Sequence, residues 1–190
     1  MAIFSKIGIV GAGISGIAAA KQLRKYDPII FEATDSLGGV WKHCSYRSTK
    51  LQTPRCDYEF SDFPWTQRDN SSFPTYLEVL EYLHSYATHF GVVELIKFNS
   101  KVVEIRFVGN HANDPDDQVN SNGYGNLLNG QPVWEVAVQT SDSDTAEVVF
   151  LTLIIKSSSS NHRRKKNLIF LNLNLTLTFY FIIQNISFIC

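Results

Sequence analysis

The chain has 190 residues, which allows one domain and at most part of a second, and 44% of them are hydrophobic, which is enough for a buried core. A formal net charge of −1 at pH 7 argues against nucleic acid as a main partner. Three cysteines and five histidines without metal-ligand spacing, and an N-terminus that leads directly into a strand, predict a cytoplasmic protein with reduced thiols and no metal site.

A glycine-rich turn follows the first predicted strand and opens the first predicted helix. The apolar run 7–10 leads into a G-x-G-x-x-G pattern, and small helix-favouring residues follow it. The first glycine permits a sharp turn, the second lets the backbone approach a pyrophosphate, and the third lets the helix pack closely on the strand. N–H groups at the helix start then point at the anion. The predicted phosphate-binding residues are Gly11, Ala12, Gly13, Ile14, Ser15 and Gly16.

An acidic residue ends the second predicted strand, at the distance that a dinucleotide-binding fold requires. The strand is 28–31, and Glu32 follows it, 21 residues after Gly11. A carboxylate at this point accepts hydrogen bonds from the adenosine ribose and repels a 2′-phosphate. We therefore expect Glu32 and the adjacent Ala33 to contact FAD or NAD rather than NADP.

Two further segments complete an ordered set of motifs. Gly38-Gly39-Val40-Trp41 follows the acidic residue, and its glycines allow a second close approach of the backbone to a cofactor. Leu51-Gln52 and Ser61-Asp62-Phe63-Pro64 come next, and Trp134-Glu135-Val136 lies further along. Together with the glycine turn and Glu32, this set resembles the flavin-containing monooxygenases, the plant-type members most closely, over roughly the first 150 residues.

The resemblance implies a fold and a cofactor chemistry. It implies an α/β, Rossmann-like FAD-binding domain with a parallel sheet plus a β-meander, and a second domain for NADPH. In the family, NADPH reduces the flavin, and the reduced flavin takes up O₂ as a C4a-hydroperoxide that oxygenates a soft nitrogen or sulfur atom of a small molecule. The flavin carries the hard chemistry, so the resemblance implies no catalytic side chain.

The resemblance also implies roles for particular residues. The cofactor-binding set then includes Gly38, Gly39, Val40 and Trp41. In many family members an Asn lies near the flavin and the nicotinamide, in the segment that corresponds to Leu51 and Gln52. Gln52 keeps the amide of that Asn and adds a methylene group.

The middle of the chain predicts one helix. It starts at Phe73-Pro74-Thr75-Tyr76, with Pro74 in the first turn, and ends at Gly91. We expect its tyrosines to serve packing rather than catalysis: Tyr76, Tyr82 and Tyr86. The predicted apolar stripe consists of Leu77, Leu80, Leu83, Ala87 and Phe90.

Strands follow the helix. We predict them at 94–98, 101–108, 133–140 and 147–155, the last two as partners. The expected shared faces are Val103, Ile105 and Phe107 on one strand, and Trp134, Val136 and Val138 on another. Between them, residues 110–132 contain Asp114-Pro115-Asp116-Asp117, which we interpret as a solvated loop because EF-hand spacing is absent.

The sequence changes character near residue 156. A serine run at 157–160 and a basic cluster at 163–166 precede 168–190, a segment almost devoid of charge. This last segment suits a transmembrane anchor, an alternating strand at 171–178, or a tail that was not selected for this fold, such as read-through of a lost splice junction. We favour the third, and therefore predict an incomplete FAD-binding domain at 1–155 and a low-complexity tail at 156–190.

Three functions stay open at this stage. The first is the FAD-binding portion of an NADPH-dependent flavin monooxygenase. The second is a catalytically inactive flavin-binding fragment or an interaction partner of a full-length relative, because no glycine follows Gly130 and a second phosphate turn is therefore impossible in 131–190. The third is another FAD-dependent oxidoreductase such as an amine oxidase, which shares the glycine motifs but does not predict Ser61-Asp62-Phe63-Pro64.

Overall fold

Two sheets, three α-helices and three short 3-10 helices lie in the part of the chain that the computed structural model describes, namely residues 7–66, 73–108, 133–143, 145–151 and 153–156. The predicted α/β class with a parallel sheet and a β-meander is confirmed. In chain order the elements are β1 Ile7–Val10, α1 Ile14–Gln22, β2 Ile29–Phe31, α2 Val40–His43, α3 Tyr76–His89, β3 Ile96–Lys97, β4 Ser100–Val108, β5 Val133–Thr140, β6 Ala146–Leu151 and β7 Leu153–Lys156.

The parallel sheet places the candidate site. Its strand order is β3-β2-β1-β7, and Gly8 of β1 lies opposite Ile29 of β2 on one side and Ile154 of β7 on the other. Ile9 and Ile30 are fully buried at the centre of this sheet. Since parallel strands end at the same edge, the glycine turn after β1 and the carboxylate after β2 lie side by side there.

Helix α3 begins after Pro74, slightly later than the sequence predicts. Thr75 is its N-cap, and a capping box forms: the Thr75 N–H donates to Glu78 Oε2 at 2.8 Å, and the Glu78 N–H donates to Thr75 Oγ1 at 3.4 Å. Pro74 therefore precedes the cap instead of occupying the first turn. The threonine hydroxyl, rather than the missing proline N–H, decides where the helix starts.

The buried face of α3 also differs from the predicted leucine stripe. Leu77 is 60% exposed, whereas Tyr82 and Tyr86 are 5% and 1% exposed. The reason is aromatic packing, because the rings of Phe60 and Phe63 lie against both tyrosines and turn that side of the helix inward. Burial raises the pKa of the Tyr82 and Tyr86 phenols, so both are neutral packing groups.

The described residues form two hydrophobic cores, and the second consists of Phe31, Trp134, Val136, Val138 and Leu151. A bulge in β4 changes which residues face this second core. Val102 pairs with Val138 and Glu104 pairs with Ala137, which leaves Val103 as the extra residue. Val103 is consequently 48% exposed, and Val102 takes the predicted place of Val103 against that core. On β5, Trp134, Val136 and Val138 are buried, as their alternation predicts.

The strand predicted at 147–155 is two strands. Residues of β6 pair with β5 in the antiparallel sheet, whereas β7 leaves that sheet and pairs with β1. The chain passes from one sheet to the other after Leu151, the last residue of β6. Leu151 is buried against Phe31 and Trp134 in the second core, which fixes this position. A continuous apolar run does not show where a strand changes sheets.

Several predictions concern residues outside the described part, namely the acidic loop at 110–132 and the tail at 157–190. The division into 1–155 and 156–190 stays a prediction. Within the described ranges, there is no cluster of histidine, cysteine and acidic side chains that could hold a metal ion. Nor does any helix in those ranges have the length and apolarity to cross a membrane.

The Glu78 carboxylate should make the fold sensitive to acid. Its hydrogen bond from the Thr75 backbone, with smaller contributions from the Thr75 hydroxyl and Arg55, holds the pKa of Glu78 below its usual range. A lowered folded-state pKa stabilises the fold above the unfolded pKa of about 4.3, and this stabilisation is lost as pH falls through the folded value. We expect Glu78→Gln to lower Tm at pH 7 and to have a smaller effect below about pH 4.

Thermal unfolding followed by circular dichroism from pH 3 to 7 measures this difference. Glu81→Gln controls for the loss of one negative charge, because Glu81 is an exposed glutamate on the same helix. An equal drop in Tm for Glu78→Gln at every pH would contradict the prediction.

Candidate functional site

The glycine turn joins β1 to α1 at the carboxyl edge of the parallel sheet. Gly11 has a φ of +94°, and its N–H donates to the Phe31 carbonyl at 2.9 Å, which anchors the turn on β2. Gly13 is the N-cap of α1, and the helical hydrogen bonds begin with the Ile17 N–H donating to the Gly13 carbonyl at 3.0 Å. The N–H groups of the first helical residues have no acceptor within the helix and are available to an anion.

Positions 13 and 16 of the turn are glycine for different reasons. A Cβ on Gly16 would overlap the carbonyl oxygen of Gly11, so the fold itself requires a glycine there. Gly13 has a φ of −77°, which any residue adopts, and a Cβ there would find Gly39 Cα at 3.7 Å, an ordinary contact. Packing within the described part of the chain therefore accounts for Gly16 and leaves Gly13 unexplained.

The second pair of glycines docks directly on the first turn. The Gly38 N–H donates to the Ala12 carbonyl at 2.9 Å. Gly39 has a φ of +54°, and a Cβ there would come within 3.0 Å of Gly13 Cα, so a side chain at 39 would force the two segments apart. The structure thus brings together the two glycine segments that the sequence places about 25 residues apart.

Glu32 lies beside the turn with its carboxylate already engaged by protein donors. Its side chain is buried, Oε2 accepts from the Ala12 N–H at 2.7 Å, and Oε1 accepts from the Thr34 N–H at 3.0 Å and the Thr34 hydroxyl at 2.8 Å. Sequence reasoning missed Thr34, because no motif in the sequence marks this residue. Ala33, between the two, is exposed.

The remaining predicted residues lie around this centre. Val40 begins α2 and is exposed, and Trp41 donates from Nε1 to the Tyr58 hydroxyl at 2.7 Å. Leu51 is tied to the start of α3, because its N–H donates to the Pro74 carbonyl at 2.8 Å, and the next residue, Gln52, is exposed. Ile14 is half-buried at the first turn of α1, where Ser15 is exposed.

The Ser61-Asp62-Phe63-Pro64 segment is held by α3 and α1. The Tyr82 hydroxyl accepts from the Phe60 N–H at 2.7 Å and donates to the Phe63 carbonyl at 2.6 Å. Asp62 forms an ion pair with Lys21 of α1. In the described structure this segment therefore acts as a brace between two helices.

A buried arginine completes this brace, and sequence reasoning missed it. Arg55 is buried, forms an ion pair with Glu78, and lies 5.7 Å from the centre of the Trp65 ring. The capping glutamate of α3 thus serves the helix start and the segment before it at once. Its S/T-x-x-E spacing in the sequence was the available signal.

Comparisons with known proteins relate the chain to one family. Residues 4–126 match the family model described as flavin-binding monooxygenase-like. Probable flavin-containing monooxygenase 1 of Arabidopsis thaliana is 56% identical over 140 residues, which cover 73% of this chain and 26% of that protein. Flavin-containing monooxygenase FMO GS-OX-like 2 of the same plant is 29% identical and covers 52% of this chain. The chain spans about a quarter of the length of these relatives.

Solved structures share the fold. The S-allyl-L-cysteine S-oxygenase from Allium sativum superposes with a TM-score of 0.60 at 22% identity, over 80% of this chain and 35% of that one. The OTEMO complex with FAD and NADP gives a TM-score of 0.62 at 22% identity, over 87% of this chain and 28% of that one. These superpositions support the fold class described above.

Removing the Tyr82 hydroxyl should weaken the brace. Tyr82→Phe leaves the buried Phe60 N–H without its acceptor, and we expect a loss of about 1–3 kcal/mol in the free energy of unfolding. Tyr86→Phe is the matched control, because it removes a hydroxyl from the same helix face for which the described residues show no hydrogen bond. Urea denaturation measures both variants, and equal losses would contradict the assigned role of Tyr82.

Proposed function

Because the chain belongs to the flavin-binding monooxygenase-like family, we propose that it binds FAD and forms the FAD-binding part of an NADPH-dependent flavin monooxygenase. The family assignment supports a flavin oxygenase over the amine-oxidase alternative, which rested on shared glycine motifs alone. The chain spans about a quarter of the length of its relatives. We therefore also propose, rather than infer from the family alone, the activity, the second cofactor and the substrate of the whole protein.

The glycine at position 13 is the observation that carries the proposal. Its backbone conformation suits any residue, and a Cβ there would make ordinary contact with Gly39. A phosphate that packs against the backbone at the start of α1 explains the glycine, because a methyl group would hold that phosphate away from the N–H donors. Packing among the described residues gives no such reason.

The residues present fit FAD in type and placement. The N–H groups at the start of α1, which have no acceptor within the helix, suit the pyrophosphate, and Glu32 offers a carboxylate to the adenosine ribose. Gly39 lies against Gly13 with no side chain, which keeps the backbone bare where the two glycine segments meet. When bound, FAD would supply the hydride and oxygen chemistry, and the role of these residues is to bind and orient it.

The proposed substrate is a small molecule with a soft nitrogen or sulfur atom, oxygenated with O₂. One structural neighbour is an S-allyl-L-cysteine S-oxygenase, which acts on sulfur. Several Arabidopsis relatives also carry the name flavin-containing monooxygenase. The family name and these relatives support oxygen transfer, and the sulfur oxygenase supports the nucleophile class.

A second candidate function follows from the sequence beyond the described site. Residues 131–190 contain no glycine, so they offer no second G-x-G-x-x-G turn for NADPH. We propose that these 190 residues on their own bind FAD, and that NADPH does not reduce the bound FAD. Such a unit would act by binding flavin or by pairing with a longer relative.

Two alanine variants distinguish cofactor binding from folding. Gly13→Ala should keep Tm within a few degrees, since its cost as an N-cap change is at most about 1 kcal/mol, and should weaken FAD binding at least ~10-fold. Gly16→Ala should lower Tm strongly, because its methyl group collides with the Gly11 carbonyl. Isothermal titration with FAD and thermal unfolding measure the two effects. FAD binding by Gly13→Ala at the wild-type affinity would contradict the proposal.

Turnover is tested on the full 190-residue chain loaded with FAD. We expect the visible absorbance of oxidised flavin to persist on anaerobic addition of NADPH, because no second nucleotide turn is present after Gly130. Dithionite serves as the positive control for flavin reduction. Rapid bleaching by NADPH would refute the second candidate function and leave the first in place.

A further inference from the structure

Thr34 connects three parts of the site through one hydroxyl group. Its Oγ1 lies 2.8 Å from Glu32 Oε1, 3.1 Å from the Ser36 carbonyl oxygen and 3.0 Å from His43 Nε2. Its N–H donates to the same Glu32 oxygen at 3.0 Å. None of the sequence motifs includes this residue.

The hydrogen atoms can be assigned by counting donors. A threonine hydroxyl has one proton, whereas a carboxylate oxygen and the Ser36 carbonyl oxygen can only accept. The proton therefore goes to the shorter contact with a charged acceptor, Glu32 Oε1 at 2.8 Å, rather than to Ser36 at 3.1 Å. The His43 ring must then donate from Nε2 to the Thr34 oxygen, which both the Nε2-protonated neutral ring and the imidazolium ion can do. The direction of donation therefore runs from His43 through Thr34 to Glu32.

This arrangement restricts the Glu32 carboxylate. Oε1 accepts two hydrogen bonds from Thr34, and Oε2 accepts one from Ala12. With two lone pairs on each oxygen, the donors among the described residues leave room for one more short hydrogen bond, and that place is on Oε2. The other end of the contact, His43, is the last residue of α2, the helix that Gly39 caps.

We infer that Thr34 is a positioning residue of the cofactor site, whose hydroxyl fixes the Glu32 carboxylate for the adenosine ribose and ties it to the helix after Gly39. The inference rests on the proposed FAD binding. In this role Thr34 affects the affinity for FAD through Glu32 and does not itself contact the cofactor.

Conservative substitutions at Thr34 test the hydroxyl itself. Thr34→Val keeps the shape and the backbone N–H, and we expect it to weaken FAD binding about 10-fold, the scale of a hydrogen bond to a charged group. Thr34→Ser restores the hydroxyl and should bind within about threefold of the wild type. Ser36→Ala is the matched control and should bind FAD like the wild type, because the Ser36 hydroxyl is buried without a partner among the described residues.

A double-mutant cycle separates positioning from a general structural role. In a Glu32→Gln background, Thr34→Val should cost less than about threefold, because the charged acceptor is gone. An undiminished 10-fold cost in that background would overturn the inference, as would wild-type affinity in Thr34→Val. Isothermal titration of the full chain with FAD gives all four affinities, and circular dichroism checks the fold of each variant.

A second variant keeps the inference testable if Thr34→Val does not fold. His43→Leu removes the other donor at an exposed position and should weaken FAD binding about threefold, and unchanged affinity would overturn the link to α2. Failure of the wild-type chain itself to bind FAD would refute the proposed function. If the wild-type chain binds FAD and Thr34→Val binds it with the same affinity, only this inference is refuted.

Discussion

The peptide groups on either side of Ala12 are where three segments of the site meet, and the geometry of the rest depends on them. The Ala12 N–H donates to Glu32, and its carbonyl accepts from Gly38, so the turn after β1, the end of β2 and the second glycine pair are joined at one fully buried residue. This junction is possible because Gly16 lets α1 start directly against the Gly11 carbonyl. A shift of the turn would therefore move the helix start and the carboxylate together.

The features that the sequence predicts well are those with fixed local spacing. The glycine turn, the strand before Glu32 and the alternation of Trp134, Val136 and Val138 each depend on backbone geometry over a few residues, and the structure contains all of them. The features that it misses depend on distant partners. The inward side of α3 is set by Phe60 and Phe63, and the change of sheet after Leu151 depends on the space beside β1.

The candidate site also contains some residues that the sequence reveals and others that only the structure reveals. Gly13 and Glu32 are visible in the sequence because dinucleotide turns need a bare backbone and an acid at a set distance. Thr34 is hidden because threonine is common in loops, and only its distances to Glu32 and His43 reveal its place. The site is thus built from recognisable groups for the ligand and from ordinary residues that hold those groups in position.

The pairing of β1 with β7 has a consequence for how the chain folds. Ile9 of β1 lies opposite Ile155 of β7, so this inner strand of the parallel sheet obtains its second neighbour from near the other end of the described residues. Contacts of such long sequence separation form late, because the entropy of closing the intervening loop must be overcome first. During synthesis, β1 therefore leaves the ribosome with an open edge, and β2 can pair with it long before β7 exists. Until β7 pairs there, that edge of β1 exposes unpaired backbone groups, which is the kind of edge to which another strand can add.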